Sequence, residues 1–183
     1  TFTLAGKIDK LIIWNGKTTL IDHKTVSNGT NISDPDSPYW EALKFRRAEL
    51  DAALAGIDPS LRTALETARE QVQWFHEQAR PRDWAGVHAG AEMGVRHAPL
   101  KRVGVYVPGG RAAYPSTVLM TVVPARVAGV DEVVVATPPG PDGRPNQTIL
   151  AAAALVGADR VLRIGGAQAV AALAYGTEQV RRV

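Results

Sequence analysis

The chain has 183 residues and 45% of them are apolar, which is enough for one ordinary domain or two small ones with a packed core. It has no cysteine, which excludes disulfides and thiolate metal sites and favours a cytoplasmic protein. Its 21 basic and 18 acidic residues are mixed along the sequence and give a net charge of +3, so no basic patch points to nucleic acid. No apolar run reaches the length of a membrane span, and we expect no membrane partner. Because the first residue is Thr1 and not Met, we expect that the chain has been cut from a longer product.

The first predicted element is a β-hairpin in the stretch GKIDKLIIWNGKTTLIDHKTVS. Asn15-Gly16 is typical of a two-residue type I′ turn, and counting outward from it places Asp9 opposite Asp22. Two carboxylates facing each other repel unless a cation lies between them, and Mg²⁺ prefers such oxygen ligands. Lys24 lies on the same face and could stabilise a negatively charged transition state.

The pattern G-K-I-D followed by D-H-K resembles the core of the PD-(D/E)-x-K nucleases of the restriction-endonuclease-like superfamily. The resemblance implies that Asp9 and Asp22 bind Mg²⁺, that Lys24 is catalytic and that DNA is the substrate. The family also has a helix before this hairpin and one after it, often with a Gln and a Tyr; the first is missing here, and nothing after Trp40 matches the second well. The alternative interpretation is a surface hairpin whose aspartates are balanced by neighbouring lysines.

Helices are predicted after a polar, proline-containing linker, with a boundary between residues 38 and 45. Asp58-Pro59 separates two of them, because Asp is a good N-cap and Pro suits the first helical position. Apolar residues in the second helix recur at spacings of three and four and predict one buried face. They are Leu61, Leu65, Ala68, Val72, Phe75 and Ala79. Pro81 ends this helix, and residues 84–97 read as extended segments weakened by glycines.

From residue 101 onward, three short apolar strands alternate with three helices. This pattern predicts an α/β fold with Rossmann-like βαβ units and an incomplete parallel sheet, preceded by two helices and the hairpin. Ligands bind such sheets at the carboxyl ends of the strands, where this chain has Gly109-Gly110 and Gly165-Gly166. Tyr106, before the first pair, and Gln168, after the second, are the candidate ligand contacts; the alternative roles are packing and helix capping.

The stretches RVGVYVPGGRAAYPSTVLMTVVPARVAGVDEVVVATPP and IGGAQAVAALAYGTEQV resemble the N-terminal portion of histidinol dehydrogenase, and the resemblance runs from about residue 42 to residue 183. It implies the oxidation of L-histidinol to L-histidine with two NAD⁺ in succession and a bound zinc, in an intertwined homodimer. The tyrosine of Y-V-P-G-G and the glutamine of G-G-A-Q, which contact NAD in the family, are Tyr106 and Gln168 here.

The family's zinc ligands, acid–base pair and substrate serine lie beyond the region that this sequence matches. The four histidines, His23, His76, His88 and His97, match none of those positions. We therefore expect an NAD-binding segment that cannot catalyse alone, divided into a nuclease-like hairpin and linker (1–40), a helical lead-in and extended segment (41–100) and a Rossmann-like segment (101–183). The alternatives are a metal-dependent nuclease fragment and a fusion product without catalytic activity.

Overall fold

The computed structural model describes residues 10–14, 17–21, 44–109, 112–176 and 183. Strands β1 (Lys10–Trp14) and β2 (Lys17–Ile21) form an antiparallel hairpin in which Trp14 pairs with Lys17, the register that an Asn15-Gly16 turn predicts. Asp9, Asp22 and Lys24 lie outside the described residues. The predicted pairing of the two aspartates therefore stays a prediction.

The described elements after the linker follow in an order close to that expected from the sequence. They are β3 (Lys44–Phe45), α1 (Arg47–Ala55), α2 (Pro59–Gln78), β4 (Trp84–His88), β5 (Ala91–Val95), β6 (Arg102–Tyr106), α3 (Pro115–Ala128), β7 (Glu132–Thr137), α4 (Gln147–Leu155), β8 (Arg160–Arg163) and α5 (Gly166–Tyr175). None of the described helices is both long and apolar enough to cross a membrane.

The central sheet has the strand order β3-β8-β7-β6. Strands β6, β7 and β8 are parallel, as predicted, and their registers place Tyr106 beside Ala136 and Ala136 beside Leu162. The antiparallel edge strand β3 was not predicted, because its two residues are too few to show an alternating pattern. The carboxyl ends of the three parallel strands thus meet at one edge of the sheet.

The two faces of the sheet are covered differently. One face carries the larger apolar cluster, in which Val105, Val133 and Val135 of the strands pack with side chains of α1, α3 and α4. The other face carries a smaller cluster in which α5 contributes Ala169 and Leu173, and Tyr106 packs at its margin. Crossovers between parallel strands are right-handed, and β6, β7 and β8 follow one another across the sheet, so α3 and α4 lie on the same face.

Helix α2 begins at the predicted residue, but fewer of its apolar side chains are buried than predicted. The Asp58 carboxylate accepts hydrogen bonds from the backbone N–H groups of Ser60 (2.8 Å) and Leu61 (3.3 Å) and caps the first turn. Leu65 is buried, but Phe75 is 59% exposed and Ala79 is also exposed, so the expectation of one continuous buried face is wrong. The helix packs on α3, and Trp74 and Phe75 toward its carboxyl end are more than half exposed.

The extended stretch after α2 is a second antiparallel hairpin, β4–β5, in which Trp84 pairs with Val95. Its turn contains Ala89 and Gly90, both with positive φ, as a type I′ turn requires. Every residue of both strands is exposed. His88 and His97 are exposed as expected, and His97 pairs with Asp83 beside the base of the hairpin.

Candidate cofactor-binding site

Tyr106 is the last residue of β6, at the carboxyl edge of the sheet. Its phenolic oxygen accepts a hydrogen bond from the backbone N–H of Gly166 at 3.2 Å, across the end of the intervening strand β7. The side chain is half-buried because its ring packs against the smaller apolar cluster while its hydroxyl reaches the edge. Tyr106 at the end of β6 therefore contacts the second glycine pair directly.

Gln168 lies in the first turn of α5, two residues after Gly166. Gly166 has φ of +72°, a conformation that glycine adopts without strain. A Cβ at position 166 would lie 2.5 Å from Oε1 of Gln168, so the glutamine side chain folds back over the glycine. Tyr106 and Gln168, which the sequence singled out separately, are thus brought together around one residue.

Pro138 fixes the other side of this turn. A Cβ at Gly165 would lie 2.5 Å from Cβ of Pro138, which leaves room for glycine alone without displacement of the backbone. The sequence reasoning missed Pro138 as part of the site. The signal for it was present, because Pro138 follows β7 directly and the carboxyl ends of neighbouring parallel strands lie side by side.

The neighbouring loop at Gly109 approaches the end of β7 equally closely. A Cβ at Gly109 would lie 3.0 Å from Oγ1 of Thr137, a fully buried hydroxyl for which the described residues supply no hydrogen-bond partner. Gly110 lies outside the described residues. The structure thus packs Gly109 against Thr137 and Gly165 against Pro138, on either side of the same strand end.

The chemistry at this edge is that of binding and orientation. A phenol, a carboxamide and backbone N–H groups at the start of α5 can hydrogen-bond a ribose or a phosphate oxygen. Within the part of the chain that the structure describes, no three His, Cys, Asp or Glu side chains lie close enough together to hold a metal ion. The described residues therefore do not fit a zinc site, and we derive no step through a metal.

Comparison with known proteins identifies the family. The family model described as histidinol dehydrogenase matches residues 12–183, beginning inside the β1–β2 hairpin, earlier than the quoted motifs indicate. Histidinol dehydrogenase from a Synechococcus species is 52% identical over 144 residues, 78% of this chain and 33% of that protein. The enzyme from Natronomonas pharaonis is 57% identical over 135 residues, 74% of this chain and 32% of its own length.

A solved structure agrees with these sequence matches. The crystal structure of histidinol dehydrogenase from Elizabethkingia anophelis superimposes with a TM-score of 0.72 at 31% identity and covers 77% of this chain. This chain spans about a third of the length of each of these relatives. The matched residues include β6, β7, β8 and α5 with Tyr106 and Gln168. The chain belongs to the histidinol dehydrogenase family.

Proposed function

We propose that this chain is the NAD-binding portion of an enzyme that oxidises L-histidinol to L-histidine, and that Tyr106 and Gln168 contact the cofactor. The observation that carries the proposal is the convergence of these two side chains on Gly166 at the carboxyl edge of the parallel sheet. Ligands bind open α/β sheets at this edge. The N–H groups at the start of α5 favour the phosphates of a dinucleotide.

We also propose that cofactor binding and catalysis use different parts of the polypeptide. When bound, NAD would supply the acceptor for the hydride, and general base catalysis further needs a titratable group within reach of the carbinol. Of the two candidate side chains, the Gln168 carboxamide does not titrate, and the Tyr106 hydroxyl already accepts a hydrogen bond from Gly166. We propose that the zinc ligands and the acid–base pair come from a part of the enzyme outside this sequence, so that this chain binds NAD without turning it over, whether as a truncated or a fused form.

We further propose that the enzyme acts as a homodimer in the cytoplasm. Large apolar side chains of α2 and the β4–β5 hairpin, among them Trp74, Trp84 and Val87, are more than half exposed. Exposed apolar surface of this extent is typical of protein–protein interfaces. L-histidinol itself is the proposed small-molecule partner.

Calorimetric titration of the full chain with NAD⁺ tests the cofactor site. We expect Tyr106→Ala and Gln168→Ala each to weaken binding about fivefold, the effect of losing a hydrogen bond worth about 1 kcal/mol. Tyr106→Phe should reproduce most of the tyrosine effect if the hydroxyl is responsible. Tyr175→Ala and Gln78→Ala remove the same residue types at exposed positions away from the site and should leave affinity unchanged. Equal affinity across all five variants would contradict the assignment.

An activity assay tests separately whether this chain can catalyse the reaction alone. The chain is incubated with L-histidinol, NAD⁺ and zinc, and NADH is followed by absorbance. We expect no NADH even where calorimetry shows bound NAD⁺. Histidinol-dependent NADH formation would contradict the proposal that the zinc and proton-transfer groups lie elsewhere.

A further inference from the structure

The two glycines of the Gly165-Gly166 turn are needed for different reasons. Gly166 has φ of +72°, a left-handed conformation that favours glycine. Gly165 has φ of −126° and ψ of 179°, which is extended backbone that any residue adopts. The conformation of residue 165 therefore does not require glycine, and the reason for a glycine there lies in its surroundings.

The neighbour that excludes a side chain at position 165 is Pro138. The three heavy atoms nearest to a Cβ added at Gly165 all belong to this proline: Cβ at 2.5 Å, Cα at 3.1 Å and Cγ at 3.3 Å. Because non-bonded carbon atoms pack best about 3.5–4.0 Å apart, the first of these distances is an overlap that a shift of the backbone would have to relieve. Gly165 is buried and Pro138 is half-buried, so the turn packs directly on the proline ring.

Pro138 is itself held in place from the side of β6. It follows Thr137, which ends β7 and is fully buried. The carbonyl oxygen of Ala136 accepts a hydrogen bond from the backbone N–H of Val107 at 2.8 Å, and Gly109 packs on Oγ1 of Thr137. The pyrrolidine ring further restricts φ of residue 138 to about −65°. The end of β7 is therefore a firm support for the turn that packs on it.

We propose that Pro138 is a positioning residue of the NAD site. Its contact with Gly165 sets the turn on which Tyr106 and Gln168 converge. A shift of Gly165 passes directly to Gly166, whose N–H donates to Tyr106 at 3.2 Å and whose missing Cβ leaves room for the Gln168 carboxamide. The inference rests on the proposed function, because it assigns Pro138 a role in that same site. This role requires no contact between the proline and the cofactor.

Paired substitutions test the contact, with NAD⁺ affinity measured by calorimetry on the full chain. Gly165→Ala should weaken NAD⁺ binding at least about tenfold, more than the loss of either hydrogen bond alone, because the added methyl displaces the turn. Pro138→Gly should also weaken binding, because the turn loses its support. The double variant Gly165→Ala, Pro138→Gly should bind more tightly than either single variant, since the methyl then fills the space that the ring has left.

Two further double variants show whether the proline ring is responsible. Gly165→Ala combined with Pro138→Ala should not recover affinity, because alanine keeps the Cβ that would lie 2.5 Å away. Gly165→Ala combined with Pro139→Gly, which removes the adjacent half-buried proline, is the matched control and should not recover either. Recovery in all three double variants, or in none of them, would overturn the proposal.

The backbone N–H of Gly166, observed by NMR without NAD⁺, gives a readout that is independent of the cofactor. Its signal should move in Gly165→Ala and return toward the wild-type position in the double variant with Pro138→Gly, because this N–H donates to Tyr106. A Gly166 signal that is the same in the wild type and in Gly165→Ala would show that the contact does not set the turn.

Gly56→Ala is the control for crowding elsewhere in the fold, because its added Cβ would lie 2.8 Å from Nε2 of Gln147. It should lower the melting temperature without changing the Gly166 signal or NAD⁺ affinity. A wild-type chain that binds no NAD⁺ would contradict the proposed function, and the Gly166 signal would still decide whether Pro138 sets the turn.

Discussion

Gly166 is the residue on which the candidate NAD site depends most directly. Its φ of +72° favours glycine, its N–H donates to Tyr106, and its missing Cβ leaves room for the Gln168 carboxamide. An alanine methyl at this position would displace that carboxamide, since the two would lie 2.5 Å apart. The site geometry and the backbone conformation are therefore set by the same residue.

We expect Gly166→Ala to lower the free energy of unfolding by about 1 kcal/mol, the cost of the left-handed conformation for an L-residue, and to weaken NAD⁺ binding several-fold. Gly157→Ala is the matched control, because Gly157 has φ of +69° but nothing within 4 Å of its added Cβ. It should lose similar stability and keep its NAD⁺ affinity. Thermal unfolding and calorimetry of both variants measure the two effects, and equal NAD⁺ affinity in both would show that Gly166 has no role beyond its backbone.

The sequence identified the residues that can hydrogen-bond a ligand and missed the residues that contribute by close packing. Tyr106 and Gln168 were identifiable because each flanks a glycine pair at the end of an apolar strand. Pro138 and Thr137 were missed, because they act by packing against Gly165 and Gly109, which lie 27 and 28 positions away along the chain.

Asp83 contacts His97 across the base of the β4–β5 hairpin. Its carboxylate accepts the backbone N–H of His97 at 2.8 Å and lies 3.1 Å from Nδ1 of the same residue. The backbone hydrogen bond, followed by the side-chain contact, lowers the pKa of Asp83 below its ordinary value of 3.8. Because the folded-state pKa is lowered, the contribution of this contact is fully present above pH 3.8 and is lost as the pH falls through the lowered value.

We expect an NMR titration of the His97 amide to show a midpoint below pH 3.8, because that amide reports protonation of Asp83. Asp83→Asn keeps an acceptor oxygen but cannot titrate, so the His97 amide shift should then be independent of pH over the same range. A wild-type midpoint at or above pH 3.8 would mean that the contact does not form in solution.

The residue at which a helix begins was more predictable than the set of its side chains that are buried. The Asp58-Pro59 start of α2 follows from the local chemistry of a helix cap, and it is found where expected. The buried face of α2 depends on what packs against it, and Phe75 shows that apolar periodicity predicts a face without supplying its partner.

The whole molecule combines a well-packed sheet with poorly covered outlying elements. In the sheet, Val133, Val135 and Val161 are fully buried, and α1, α3 and α4 cover them. The alternating strands and helices made this arrangement predictable, since right-handed crossovers leave few other topologies. In contrast, α2 buries Leu65 alone of its 20 residues, and every residue of the β4–β5 hairpin is exposed. A two-stranded hairpin of this kind is marginally stable in isolation, so these elements need a further surface to pack against.

We expect that surface to be supplied by a second copy of the chain. Trp74 and Phe75 are 65% and 59% exposed on α2, and burying two such aromatic side chains at an interface would contribute about 1.5–3 kcal/mol each. The wild-type chain should therefore sediment as a species larger than a monomer at high concentration. The double variant Trp74→Ser, Phe75→Ser should shift that equilibrium toward the monomer at least about tenfold. The melting temperature should change little, because neither side chain belongs to the core of the sheet.

Gln71→Ser, an exposed polar change on the same helix, is the control and should leave the equilibrium unchanged. A wild-type chain that stays monomeric at all concentrations would show that α2 is covered by other parts of the enzyme and not by its own copy.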